Sequence, residues 1–222
     1  MAAKIAGAEL ANEGLLALKK GALTEAIAKL ERAVGLSPAN DSWRFSLAKA
    51  LLREQRTGEA VEHLQVLCVR DEPKAAWLAM LGTAATKLRR YDEAIGALQK
   101  AVGLEQEEIE WRYRLGVALL MADRADEAAA ILHPELRPDV PPKFVTLYVR
   151  ALWRTGKTKT AEDLLSAALS RSDAPQIWLA MYHELKARNA SGRSTIDPSH
   201  VFYDAIYSAP TELVCPLKSG PP

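Results

Sequence analysis

Between Ala75 and Leu88 the chain reads AAWLAMLGTAATKL. A polar turn around Arg89 and Arg90 follows, and then YDEAIGALQKAVGL from Tyr91 to Leu104. Apolar residues in both runs recur every three or four positions, which places them on one face of a helix and predicts a pair of amphipathic helices joined by a tight turn. The second run has a near copy, LTEAIAKLERAVGL, from Leu23 to Leu36, sixty-eight residues earlier. Such an echo is the sign of an internal repeat.

The period is half that distance. The dipeptide Glu-Ala occurs at Glu25-Ala26, Glu59-Ala60, Glu93-Ala94 and Glu127-Ala128, each step being 34 residues, and Ala161 follows one residue early. Leu30, Leu64, Leu98, Leu132 and Leu165 ride on the same step. So do the small residues Gly14, Ala48, Gly82 and Gly116, and also Ala33 and Ala101. A small side chain at fixed helical spacing lets a neighbouring helix come close, and Leu fills the remaining space. Gly21 and Gly156 mark turns inside a unit. Ser37-Pro38 and Glu72-Pro73 mark the handover between units, where proline ends the preceding helix.

This pattern resembles the tetratricopeptide repeat, a 34-residue helix-turn-helix with small residues at positions 8, 20 and 27, Leu-like residues at 24 and Pro at 32. With position 1 at Gly7, Gly14, Ala26, Leu30, Ala33 and Pro38 fall on those places. The resemblance implies an all-α, right-handed α-solenoid of about five units near 7–40, 41–74, 75–108, 109–141 and 142–175. Residues 176–190 are in register for one more first helix and read as a capping helix. The solenoid is thus expected over 1–190 and a tail or linker over 191–222. Departures are visible too: position 27 is Leu67 in the second unit and Glu135 in the fourth, and Pro134 should cut the second helix of the fourth unit short.

Composition changes little in this picture. Hydrophobic residues make up 49% of the chain and charged residues 26%, with a formal net charge of +1. There is no general excess of base that would point to nucleic acid. No apolar run is long enough to insert in a membrane. The amino-terminal segment carries Lys4, Glu9 and Glu13 where a signal peptide needs an unbroken apolar run, so the expected location is cytoplasmic.

Candidate chemistry is sparse. RTGKTKT, Arg154 to Thr160, ends like a phosphate loop. Ala151, however, stands where that loop needs its first Gly, and the segment falls between two helices rather than after a strand. His63, His133, His183 and His200 show no metal-ligand spacing. Cys68 sits at a packing position and Cys215 in the tail, with no disulfide pattern. No cofactor, metal or catalytic centre is therefore expected. Trp43, Trp77, Trp111 and Trp178 keep the repeat period, as inter-repeat packing requires, whereas a ligand-binding stripe would vary from unit to unit.

The resemblance implies that binding residues project from positions 2, 5, 9, 12 and 13 of each first helix. Carried onto this chain, these positions assemble a partner-binding groove from Lys19, Phe45, Lys49, Arg53, Lys87, Tyr113, Arg150, Trp153 and Arg154, with Glu110 the acidic exception. The expected function is a non-catalytic protein–protein interaction scaffold for a protein or peptide of acidic character, with self-association a further option. The clamp that some family members use for a C-terminal carboxylate is missing, since Ala11, Leu15, Ala76 and Met80 occupy its positions. An alternative rests on FYDAIY, Phe202 to Tyr207, which is similar to the segment ahead of some bacterial S-adenosylmethionine-dependent methyltransferase domains. On that reading the chain is the repeat region of a larger bacterial enzyme, a methyltransferase or glycosyltransferase, serving substrate positioning or oligomerisation.

Overall fold

The computed structural model describes residues 2–133 and 140–191. Among these, eleven helices and no strand are present: α1 (Ala2–Lys19), α2 (Leu23–Leu36), α3 (Asp41–Arg53), α4 (Thr57–Cys68), α5 (Ala75–Lys87), α6 (Tyr91–Leu104), α7 (Ile109–Met121), α8 (Ala125–Leu132), α9 (Pro142–Arg154), α10 (Thr158–Ala168) and α11 (Gln176–Ser191). Each helix packs on the next, and first helices also touch across units, α5 on α7 and α7 on α9. The result is an all-α solenoid of helical hairpins, as the pattern implies. The segments holding Pro134, Glu135, His200, Phe202 to Tyr207 and Cys215 lie outside the described residues.

Every hairpin turns the same way. The amides of Ala22, Arg56, Arg90, Arg124 and Lys157 donate to the carbonyls of Ala17, Leu51, Ala85, Leu119 and Leu152 at 2.9–3.0 Å. One residue earlier, the amides of Gly21, Gln55, Arg89, Asp123 and Gly156 donate to the carbonyls of Leu18, Leu52, Thr86, Leu120 and Trp153. This paired closure is the Schellman motif, which needs a left-handed residue just past the helix. Those residues have φ of 79°, 63°, 59°, 63° and 75°. Glycine takes that conformation freely; Gln55, Arg89 and Asp123 do so at a cost.

The small-residue rule becomes a set of close approaches between the two helices of one hairpin. A Cβ placed on Gly14 would lie 3.0 Å from Leu30 Cγ. On Gly116 it would lie 3.0 Å from both Leu132 methyls, and on Gly82 only 2.5 Å from Leu98 Cγ. Ala48, at the same position of the second hairpin, is fully buried. Between hairpins, the apolar faces merge into two overlapping clusters. One runs from Ile27 to Ala97 and the other from Ala75 to Leu185, and both include residues of α5 and α6. Helix α5 is accordingly buried on several sides, with Trp77 and Leu81 facing one cluster and Leu78 and Ala79 the other.

Trp77, Trp111 and Trp178 are buried at 6%, 5% and 0% exposure, which is the packing role their period suggests. Their polar ends find partners where they need them: Trp111 Nε1 donates to Glu105 at 2.9 Å, and Trp178 Nε1 to Thr146 at 2.8 Å. Helix α8 stops after 8 residues, against 14 in α2 and α6, in agreement with the truncation that Pro134 implies.

Candidate functional site

The nine residues assigned to the groove all lie on the first helices α1, α3, α5, α7 and α9. Phe45, Lys49 and Arg53 stand four apart on α3 and so share one stripe. Phe45 is half-buried, its ring centroid 6.4 Å from that of Trp77 on α5, and the Lys49 ammonium lies 5.7 Å from the Phe45 ring centroid. Lys74, one residue ahead of α5, lies 5.3 Å from the Trp77 ring. Together these contacts form a first cation–aromatic cluster on these helices.

The second cluster joins α7 to α9. Tyr113 packs on Phe144 with ring centroids 6.2 Å apart, and the Lys143 ammonium lies 4.6 Å from the Tyr113 ring. Glu110 binds Lys143 at 2.6 Å and Arg114 at 3.2 Å, while Arg114 also reaches Thr83 on α5 at 3.3 Å. Burial pushes the Tyr113 phenol above its ordinary range; the Glu110 charge adds to the shift and Arg150 opposes it. Tyr113 is therefore a neutral hydroxyl-bearing apolar surface at any physiological pH. Lys143 occupies position 2 of the fifth unit, so the positional rule that reached Arg150 reaches it as well. Lys74 and Trp77 lie off that rule, and only the three-dimensional proximity of α3 and α5 brings them in.

Four groove cations, Lys19, Arg53, Lys87 and Arg154, occupy the last turn of their helices. Positive charge there faces the negative end of the helix dipole. Arg154 donates from Nη1 to the Leu120 carbonyl of α7 at 2.6 Å and pairs with Asp123. Arg53 repeats the reach across α3 to α1, with Nη1 at 3.5 Å from the Leu18 carbonyl, a much looser contact. Arg154 thus ties hairpins together, whereas Lys19 and Lys87 are exposed. Trp153 is 6% exposed, with the Arg188 guanidinium of α11 4.6 Å from its ring, so little of it is open to a partner.

The other sequence candidates settle into structural roles. Gly156 and Lys157 form the turn between α9 and α10, with Lys157 3.6 Å from Asp126. The His63 ring lies 3.4 Å from Arg44 Nη1. His133 meets Tyr148 edge-on, and His183 meets Tyr182. Cys68 packs against both core clusters, and burial raises its thiol to about 11, far from a reactive thiolate. Among the described residues no group of three or more His, Cys, Asp or Glu could hold a metal ion, and no helix is long and apolar enough to cross a membrane.

Comparison with known proteins agrees with the architecture. The family model described as tetratricopeptide repeat matches residues 12–76 and 79–137, more than half of the chain. The chain belongs to the tetratricopeptide repeat family. Among solved structures, it is similar to a tetratricopeptide repeat protein from Parabacteroides merdae, at 17% identity and a TM-score of 0.72, over 89% of this chain and 79% of that one. It is similar to YrrB, a TPR protein with an unusual peptide-binding site, at 18% identity and a TM-score of 0.67, over 80% of this chain and 90% of that one. It also resembles Pseudomonas aeruginosa PilF, at 18% identity and a TM-score of 0.64, over 94% and 99% of the two chains. No curated protein matches the sequence.

Proposed function

We propose that the chain is a non-catalytic interaction scaffold that holds a protein or peptide partner against the first-helix face of residues 1–190, with 191–222 as a tail, in the cytoplasm. Tetratricopeptide repeats are protein-interaction modules, and the reading goes one step further by placing the contact. The observation that carries it is the Phe45, Lys49, Arg53 stripe of α3. It presents a half-buried ring with the Lys49 ammonium 5.7 Å from its centroid, Trp77 packed against it and Arg53 one turn beyond Lys49. A ring held by a neighbouring helix is pre-ordered, so a partner that covers it gains buried apolar area at little entropic cost.

The test is affinity purification from the native cell with three baits: the natural chain, a Lys49→Glu, Arg53→Glu, Arg150→Glu variant, and an Arg32→Glu, Lys100→Glu variant altered on the second helices. Loss of the recovered partner only with the first variant supports the reading. Loss only with the second overturns it.

A further inference from the structure

Among the described residues, helix α11 is a first helix without a second. It packs on α10, and no described helix follows it. Its residues Leu179, Tyr182 and Lys186 are equivalent to Arg112, Leu115 and Leu119 of α7, which line the cleft between the second helices α6 and α8. On α11 the same stripe has α10 on one side only. Leu179 is accordingly 50% exposed, whereas its equivalents Leu78 and Val145, whose hairpins are complete, are 3% and 2% exposed. Lys186 meets the Tyr182 ring and forms no ion pair among the described residues. His183 is exposed at the place where Gly82 of α5 meets α6. A solenoid end that faces water is normally closed by a polar surface. Leu179 and Tyr182 leave this one partly apolar.

The sequence beyond α11 carries the pattern of the missing element. The second helices α2, α4, α6 and α8 each have an acid followed by alanine in the first turn, and in three of them a β-branched residue comes next: Glu25-Ala26-Ile27, Glu59-Ala60-Val61 and Glu93-Ala94-Ile95. The alanines are fully buried. Their backbone is what the first helix meets, since a Cβ on Gly14 or Gly82 would lie 3.3 or 2.9 Å from the carbonyl oxygen of Ala26 or Ala94. The triplet occurs once more, as Asp204-Ala205-Ile206, with Phe202 where α6 begins on Tyr91. Pro210 would end such a helix after Ala209, eight residues on from Phe202, and eight residues is also the length of α8. The ten residues 192–201 can span about 33 Å when extended, more than the roughly 24 Å length of the 16-residue α11, so they can reach any part of it. Asp204 is the one formal charge between Val201 and Ala209, and it is opposite in sign to the unpaired Lys186. A helix this short has no stability of its own and exists only when packed.

We infer that residues 202–209 of this chain dock on the open side of α11 as the second helix of a sixth hairpin, with Ala205 against His183, Asp204 toward Lys186 and Ile206 over the apolar side of α11. The contact is separate from the partner-binding face and does not depend on it. His183 is larger than the glycine of α5, so this hairpin closes less tightly; Val149 of α9, fully buried at the equivalent place, shows that the repeat accommodates a larger residue there. A second copy of the chain could cover the same surface, but a tethered segment has an effective concentration on the order of millimolar, which exceeds that of a second copy at micromolar protein. The docked segment therefore also withholds the end of the solenoid from stacking between chains. It gives the FYDAIY stretch a role inside this chain rather than at the entry to a further domain.

The experiment is disulfide trapping in the full chain with Cys215→Ser, so that the tail holds no other thiol. His183→Cys with Ala205→Cys is compared with Ala180→Cys with Ala205→Cys. Ala180 is exposed on the groove side of α11, at the place of Phe45 in α3, and is tethered to residue 205 by nearly the same length of chain. Under mild oxidant the 183–205 pair is expected to close within one chain about tenfold faster than the 180–205 pair, because docking raises its effective concentration above that of a free tether. Hydrogen exchange of the chain without engineered cysteines is the second measurement. Amides from Leu179 to Lys186 are expected to exchange at least about threefold more slowly than in an Ile206→Asp variant, whose substitution lies outside the solenoid and leaves its folding intact. Equal closure rates for the two pairs overturn the inference, as does exchange in α11 that Ile206→Asp leaves unchanged. Disulfide-linked dimers through residue 183 in place of the intrachain bond also overturn it, and assign the face to a second copy.

Discussion

Gly82 of α5 lies so close to Leu98 of α6 that a Cβ on the glycine would fall 2.5 Å from the leucine Cγ and 2.9 Å from the Ala94 carbonyl oxygen. The obstacle is partly backbone, so no rotamer change at Leu98 relieves it fully. The repeat's small residue and its Leu are one contact, and the closeness of the two helices depends on it.

Gly82→Ala should therefore destabilise the fold by about 1–2 kcal/mol, the overpacking cost exceeding the gain in helix propensity. Gly96, on the same hairpin but with nothing within 4 Å of its notional Cβ, is the control. Gly96→Ala should stabilise by up to about 1 kcal/mol. Urea denaturation of the two variants measures both signs, and equal effects would contradict the contact.

The hairpin turns supply a second pair. Gly156 has φ 75° and open space around it, so Gly156→Ala tests backbone conformation alone and should cost about 1 kcal/mol. Arg89 holds the same conformation at φ 59°, and Arg89→Gly should raise stability by about 0.5 kcal/mol, relief of strain outweighing the entropy of glycine. Thermal melts followed by circular dichroism read the opposite signs.

Two groove cations of the same repeat position should separate by role. Arg154→Ala removes the bond to the Leu120 carbonyl and the Asp123 pair, and should cost about 1 kcal/mol of stability after allowance for solvent around a one-third-exposed side chain. Lys87→Ala should leave stability within about 0.5 kcal/mol. Equal losses in denaturant would show that Arg154 is no more structural than Lys87.

His63 gives the fold a pH dependence. Burial lowers its pKa first and the Arg44 charge lowers it further, against opposing pulls from Glu62, Glu31 and Glu59. The folded chain thus resists a proton that the unfolded chain accepts near pH 6.5. Below that pH the unfolded state binds more protons, so stability falls as pH drops through 6.5 and levels off once the folded-state pKa is passed. His63→Gln should flatten this part of the melting-temperature profile; an unchanged slope would rule His63 out as its source.

Much of this was legible in the chain. The period placed Gly14, Gly82 and Gly116 opposite Leu30, Leu98 and Leu132, because helix geometry converts a fixed spacing into a fixed contact. It read the tryptophans as packing and α8 as truncated. It marked a turn at Arg89 but not the left-handed conformation of Gln55, Arg89 and Asp123, since none is glycine and the strain is overruled by the closure bonds around it. Nor could it separate Arg154 from Lys87, because residue type does not tell whether a cation meets solvent or a carbonyl 34 positions away. The depth of Trp153 under Arg188 likewise depends on where α11 packs.

The central claim is that a partner docks on the first-helix face. A photo-crosslinking amino acid placed at Lys49 or Lys87 on that face, or at Arg32 or Lys100 on second helices, reports it directly in the native cell. The account expects covalent capture of the same partner from positions 49 and 87 and none from 32 and 100. Capture from positions 32 and 100 alone would contradict it.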